Sequence, residues 1–212
     1  MTITYAVTVC NEFMEIQRLI NFLLKEKRLE DNIVILYDSA HGDPEIEAYL
    51  RTHSQNNEFH WHKDEFNHHF ADWKNKLTSY CSGDYIFQID ADEVPNDILI
   101  KELPNILEQY PHADVFLMSR VNVLTEEPDY SPIEKIKQDW GDNRDRWRHW
   151  PDYQWRIWKN KPEIHWVNKI HEVLQGYNQS MYLSADNSDL SLFHIKTWEK
   201  QEKQHYYYIS LE

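Results

Sequence analysis

Glycine is scarce. Only Gly42, Gly83, Gly141 and Gly176 occur in 212 residues, and no two lie close together. Neither a glycine-rich phosphate cradle nor a dinucleotide fingerprint can be built from isolated glycines. A bound nucleotide diphosphate would therefore need side chains and a metal to neutralise it. Cysteine is scarcer still, and Cys10 and Cys81 form neither a disulfide framework nor a paired metal motif. They read as buried thiols of a reducing compartment. Positive charge is also short: 22 Lys and Arg face 36 Asp and Glu, a net charge of −14. That balance argues against general affinity for phosphate backbones or anionic membranes, which are bound mainly through clustered Lys and Arg. No apolar run approaches the roughly 20 residues of a membrane helix, and the N-terminus shows no basic stretch followed by a signal-type apolar segment. The expectation is a soluble, cytoplasmic protein.

The length suits one domain. Ile3, Tyr5, Val7 and Val9 alternate along a first strand over 3–10, and Asn11-Glu12 opens a helix carrying Ile16, Leu19, Ile20, Leu23 and Leu24 at helical spacing. A second strand (33–37) and a helix through Ile46, Tyr49 and Leu50 follow, then a strand at 59–62. Phe66, Phe70, Trp73, Leu77 and Tyr80 mark a helix for which Gly83 is the expected cap. A central strand (85–89), a helix (97–109) and a strand (115–123) complete a β/α alternation that predicts a mostly parallel sheet flanked by helices. From about residue 125 the pattern changes. Trp140, Trp147, Trp150, Trp155, Trp158 and Trp166 crowd into one stretch, interleaved with Arg144, Arg146, Arg148 and Arg156. Tyr153 to Lys159 alternates as a strand would, and a polar helix begins near Thr197. Most of the six tryptophans are expected in a core, and two or three in a groove. Residues 1–124 read as an α/β core, and 125–212 as an aromatic-rich lobe of the same domain.

The chemistry concentrates between Gly83 and Glu93. An apolar run, Tyr85-Ile-Phe-Gln-Ile89, ends in Asp90-Ala-Asp92-Glu93. A buried strand of this kind delivers hard oxygen ligands to the rim of a sheet, where open α/β folds bind ligands. With period-two alternation Asp90 and Asp92 point the same way. Two further histidine clusters, His60/His62 and His68/His69, tempt a zinc reading, but nothing in the sequence completes such a site.

The ordered set Val-Thr-Val-Cys-Asn-Glu12, Tyr37-Asp38-Ser39, Asp72-Trp-Lys-Asn75, Gly83-Asp84, Ile-Asp-Ala-Asp-Glu93 and His171-Glu172 resembles family-2-type GT-A glycosyltransferases. The resemblance implies a GT-A-like fold, with residues 1–124 as the nucleotide-sugar-binding core and 125–212 as the acceptor-side lobe, and metal-dependent transfer of a sugar from a nucleotide sugar with inversion. It implies that Asp92 holds Mn²⁺ or Mg²⁺ with Glu93 assisting, that Asp90 holds the ribose, and that Thr8, Asn11, Glu12, Asp38 and Lys74 read the base. Asp38 can accept from the imide N–H of uracil, which favours UDP. Glu172 is the candidate base, and His171 or His194 a further metal ligand. The chain lacks the Glu-Asp pair of many members. The acceptor stays open among glycan, lipid-linked, protein and nucleic-acid classes, the last resting on the Trp/Arg stretch. Rival readings are a nucleotidyltransferase using the same aspartates and a non-catalytic glycan- or nucleic-acid-binding module.

Overall fold

The computed structural model describes residues 1–56 and 58–211. Its first half alternates as the periodicity predicts: β1 (Ile3–Val9), α1 (Phe13–Glu26), β2 (Asn32–Asp38), α2 (Pro44–His53), β3 (His60–Asp64), α3 (Phe70–Ser79) and β4 (Tyr85–Asp90). Then come β5 (Glu93–Pro95), α4 (Asp97–Gln109), β6 (Val115–Thr125), α5 (Ile133–Trp140) and β7 (Gln154–Lys159). The chain continues through β8 (His165–Val167), β9 (Val173–Gln175), β10 (Ser180–Tyr182), β11 (Ser191–Thr197) and α6 (Trp198–Leu211).

Alternation along β1 decides which helix packs where. Ile3, Tyr5, Val7 and Val9 face a core shared with Ile16, Leu19, Ile20 and Leu23 of α1, Ile46 and Leu50 of α2, and Leu99, Leu103 and Leu107 of α4. Ala6 faces the other way. With Val34, Leu36 and Ile86 it meets Ala71, Trp73 and Leu77 of α3, and Trp166 and Leu174 of the β8–β9 hairpin. Each fully buried Leu or Ile contributes roughly 1.5–3 kcal/mol, so both layers are held by apolar burial.

The main sheet has nine strands in the order β3-β2-β1-β4-β7-β6-β11-β5, with β10 beside β6. β3, β2, β1 and β4 run parallel, as do β6 and β11. β7 is antiparallel to both neighbours and β5 to β11. Reversing β7 matters for function, because it brings the start of that strand, Gln154 and Arg156, beside the end of β4.

Two local expectations are corrected. The helix begins at Phe70, not Phe66, because the Asn67 side chain accepts the His69 N–H, and His69 Nδ1 then caps the helix by accepting the Asp72 N–H. Phe66 still packs on Phe70 and Trp73, at 4.9 and 5.6 Å between ring centroids, so its apolar spacing outlasts the helix. Gly83 does not cap α3, which ends at Ser79 with Tyr80 as its cap. It lies against β1: a Cβ there would sit 2.7 Å from the Thr4 nitrogen, and the Gly83 N–H donates to Thr4 Oγ1 at 2.9 Å. Among the described residues no helix is long and apolar enough to cross a membrane.

Candidate active site

A cavity of about 1160 Å³ opens at the carboxyl ends of β1, β2 and β4. Its floor follows a simple rule: neighbouring strands each contribute polar side chains two residues apart from otherwise apolar runs. β6 supplies Arg120 and Asn122, β7 supplies Gln154 and Arg156, β11 supplies His194 and Lys196, and Asp90 ends β4. Spacing of two puts each pair on one face of the sheet.

Asp90 and Asp92 line this one cavity, Asp90 from the last position of β4 and Asp92 from the turn after it, so the turn rather than strand alternation places Asp92 there. Arg156 donates to Asp90 Oδ2 at 2.7 Å and to Glu93 Oε1 at 2.6 Å. Burial pushes the Asp90 carboxyl up, but Arg156 and Lys74 outweigh it and hold the group below the usual carboxylate range. Asp92 Oδ2 is 3.4 Å from His194 Nε2, 3.5 Å from Lys196 Nζ and 3.4 Å from Lys200 Nζ. Burial again opposes ionisation there, and Lys196 and His194 overcome it, so Asp92 is held well below its ordinary value. Glu93, given an assisting role at the metal, lies beneath the floor instead. It is fully buried and accepts from Arg120, Arg156 and the Asp90 N–H.

On the β1–β2 side stand Thr8, Asn11, Glu12 and Asp38. Asp38 accepts from His41 Nδ1 at 2.8 Å and from the backbone N–H groups of Ala40 and Phe66. Burial raises its carboxyl, and His41 and the Phe66 N–H more than reverse this. The rings of His41 and His68 lie 5.0 Å apart beside it, and His68 Nδ1 is 2.9 Å from the Tyr207 hydroxyl of α6. Glu12 accepts from the N–H groups of Cys10 and Asn11, while burial and Asp92 push its carboxyl up.

Opposite, Lys74 of α3 pairs with Glu172 at 2.8 Å and lies over the Trp166 ring at 4.5 Å. Lys74, expected at the base, is thus placed against the candidate general base. His171 lines the same wall, 6.3 Å from the Tyr208 ring. Among the described residues no group of three or more His, Cys, Asp or Glu converges on one point, so His171 does not join Asp92 and His194 in a closed ligand set, nor do His60, His62, His68 and His69 form a zinc site. Four of the non-glycine residues with positive φ, His68, His149, Asp152 and His171, line the cavity. Such strain concentrates where a surrounding network over-determines the backbone. Of the six clustered tryptophans, Trp155 and Trp166 line the cavity, while Trp140, Trp147, Trp150 and Trp158 pack in the core layers.

Arg120, Asn122, Asp152 and Arg156 escaped the sequence reading. Arg120, Asn122 and Arg156 left a signal as polar residues at period two inside apolar strands, while Asp152 lies in the loop ahead of β7; which strands adjoin depends on pairings distant in sequence.

Residues 4–185 match glycosyl transferase family 2, and the chain belongs to that family. Its fold is the GT-A-like fold of S. aureus TarS. The TarS 1-349 structure aligns with a TM-score of 0.62 at 15% identity, over 92% of this chain and 60% of that one. TarS 1-349 in complex with UDP-GlcNAc aligns at 0.64 and 15% identity over 92% and 59%, and its complex with UDP at 0.63 and 15% over 92% and 60%. The chain thus spans about 60% of the length of the TarS 1-349 structures. No curated protein shows significant sequence similarity to it.

Proposed function

We propose that this chain transfers a sugar from a UDP-sugar to an acceptor hydroxyl, with inversion, in a metal-dependent reaction. The observation that carries the reading is the meeting of three subsites in one cavity: the Asp38 slot, the Asp92–His194 pair and Glu172. The metal reading passes a test of fit. Asp92 supplies a hard oxygen and His194 an imidazole nitrogen 3.4 Å apart; the carboxylate suits Mn²⁺ or Mg²⁺, and the added imidazole favours Mn²⁺ of the two. Asp92 and His194 would hold the ion, and His171 belongs to the acceptor wall. When bound, the ion supplies Lewis-acid stabilisation of the charge that grows on the departing diphosphate.

The protein groups do the rest. Asp38 accepts the imide N–H of uracil, with Thr8, Asn11 and Glu12 bordering the nucleoside. Asp90, fixed by Arg156, accepts from the ribose. Lys196 and Lys200 add positive charge beside the diphosphate. Glu172, held in place by Lys74, takes the acceptor proton as the acceptor oxygen bonds to the anomeric carbon and the bond from that carbon to UDP breaks. Residues 1–124 border the nucleoside of the donor, while 125–212 add His194, Lys196 and Lys200 at its diphosphate and shape the acceptor side, where Trp155 offers a stacking face for a glycan. Free Cys10 and Cys81 suit a reducing cytoplasm.

A screen of UDP-sugars with Mn²⁺ tests the reading. Release of UDP from one of them, lost in Asp92→Asn, is expected. Release of pyrophosphate from a nucleoside triphosphate would identify nucleotidyl transfer instead.

A further inference from the structure

A histidine beside a carboxylate ordinarily donates to it. At His194 a second partner, Asn122, decides which ring nitrogen carries the proton. Asn122 Nδ2 is 2.6 Å from Asp152 Oδ2 and 3.4 Å from the Arg148 carbonyl oxygen. Both partners only accept, so this atom must be the amide NH₂. The other amide atom, the oxygen Oδ1, then faces His194 Nδ1 at 2.9 Å. An amide oxygen only accepts, so Nδ1 carries the ring proton. In the neutral ring Nε2 is then left with the lone pair, aimed at the carboxylate of Asp92 3.4 Å away. Two lone-pair atoms facing each other at that distance repel unless a cation lies between them.

The arrangement is fixed from below. Arg120 donates to Asp152 Oδ2 through Nε at 2.9 Å and contacts it through Nη2 at 2.9 Å, and Gln154 Nε2 donates to Asp152 Oδ1 at 2.9 Å. Arg120 is anchored in turn by fully buried Glu93. Asp152 sits at φ 39°, a left-handed conformation that the surrounding bonds must hold. Asn122 and His194 are direct partners in the β6–β11 ladder, so their contact is set by sheet register.

We infer that Asp152 and Asn122 are positioning residues: they lock His194 in its Nδ1–H tautomer and so reserve Nε2 for a divalent cation shared with Asp92. The inference rests on the proposed role of His194 as a metal ligand. Without the relay the favoured tautomer would place the proton on Nε2, bond His194 to Asp92 and close the site. Outer partners of ligating histidines commonly control metal affinity by 10–100-fold.

The test is the long-range ¹H–¹⁵N spectrum of the histidine rings in the metal-free chain at neutral pH, with His194 assigned by its loss in His194→Gln. The expected result is a protonated Nδ1 and an unprotonated Nε2 in the wild type. Asn122→Leu removes the acceptor, so its proton moves to Nε2, and Mn²⁺ affinity read by titration falls about 10–100-fold. Asp152→Asn frees the amide to turn and shifts the tautomer the same way. A wild-type His194 protonated on Nε2, or an Asn122→Leu spectrum still showing Nδ1–H, overturns the relay even where Mn²⁺ binds. Failure of the underlying reading looks different: His194→Gln then binds Mn²⁺ as the wild type does, whatever the tautomer.

Discussion

Among individual residues, the strongest demand falls on Arg156. Its guanidinium is 3% exposed and bridges Asp90 to Glu93, which has no exposure at all. Removing one partner of a buried ion pair costs about 3–5 kcal/mol, because the remaining charge is stranded away from water. Arg156→Met should therefore lower the free energy of unfolding by about 3 kcal/mol, read from the urea midpoint. A loss below about 1 kcal/mol would mean that Arg120 alone satisfies Glu93. The residues the sequence announced were those with a local signature. Asp90 and Asp92 end an apolar run, Asp38 ends another, and all reach the cavity. Arg156 has no such signature. Its importance comes from β7 lying antiparallel against β4, with Phe87 opposite Ile157, a pairing no window of sequence contains. The same holds for Asp152, which gains its role only when Arg120 and Asn122 arrive from β6.

The elements divide along the same line. Strands and helices with several turns of clean periodicity, β1, α1, β2, β4, α4 and β6, were legible because one buried face repeats along them. Strands of three residues, β5, β8, β9 and β10, have no period to read, and α5 buries only Ile133 and Ile136. Gly83 shows how a correct residue can carry the wrong meaning: after a helix it looks like a cap, yet it permits close approach of backbones between β1 and the start of β4. Adding a methyl group meets the Thr4 nitrogen at 2.7 Å and the Ile3 carbonyl carbon at 3.0 Å, both backbone atoms that cannot swing aside. Gly83→Ala should destabilise by about 1–3 kcal/mol, the usual cost of overpacking. Denaturant unfolding checks this; a neutral or stabilising effect would restore the capping role. Because Asp90 closes the same strand, the variant should also weaken UDP binding.

For the whole molecule, acid sensitivity follows from carboxylates tied down far from the cavity. Asp114 precedes β6 and accepts from the Asn178 N–H, Lys159 and Lys161, which joins β6 to the loop before β10. Burial raises its carboxyl, and the Asn178 N–H, Lys161 and Lys159 bring it down to about 2. The folded value thus lies below the unfolded value of roughly 3.9, so the native state binds fewer protons. Its contribution is complete above about pH 4 and disappears as pH falls toward 2. Asp114→Asn should cost about 1 kcal/mol at neutral pH, discounted because Lys161 is largely solvated. The gap from wild type should narrow between about pH 4 and 2. A gap constant with pH would assign the loss to packing instead.

The account as a whole depends on donor and cation sharing one grip at the ends of β1, β2, β4 and β11. Titration calorimetry of UDP against the chain with and without Mn²⁺, in the wild type and in Asp92→Asn, addresses that most directly. The wild type should bind UDP at least about tenfold more tightly with Mn²⁺ present, and Asp92→Asn should lose that increment while keeping its fold. Equal UDP affinity with and without Mn²⁺, or an undiminished Mn²⁺ effect in Asp92→Asn, would contradict it.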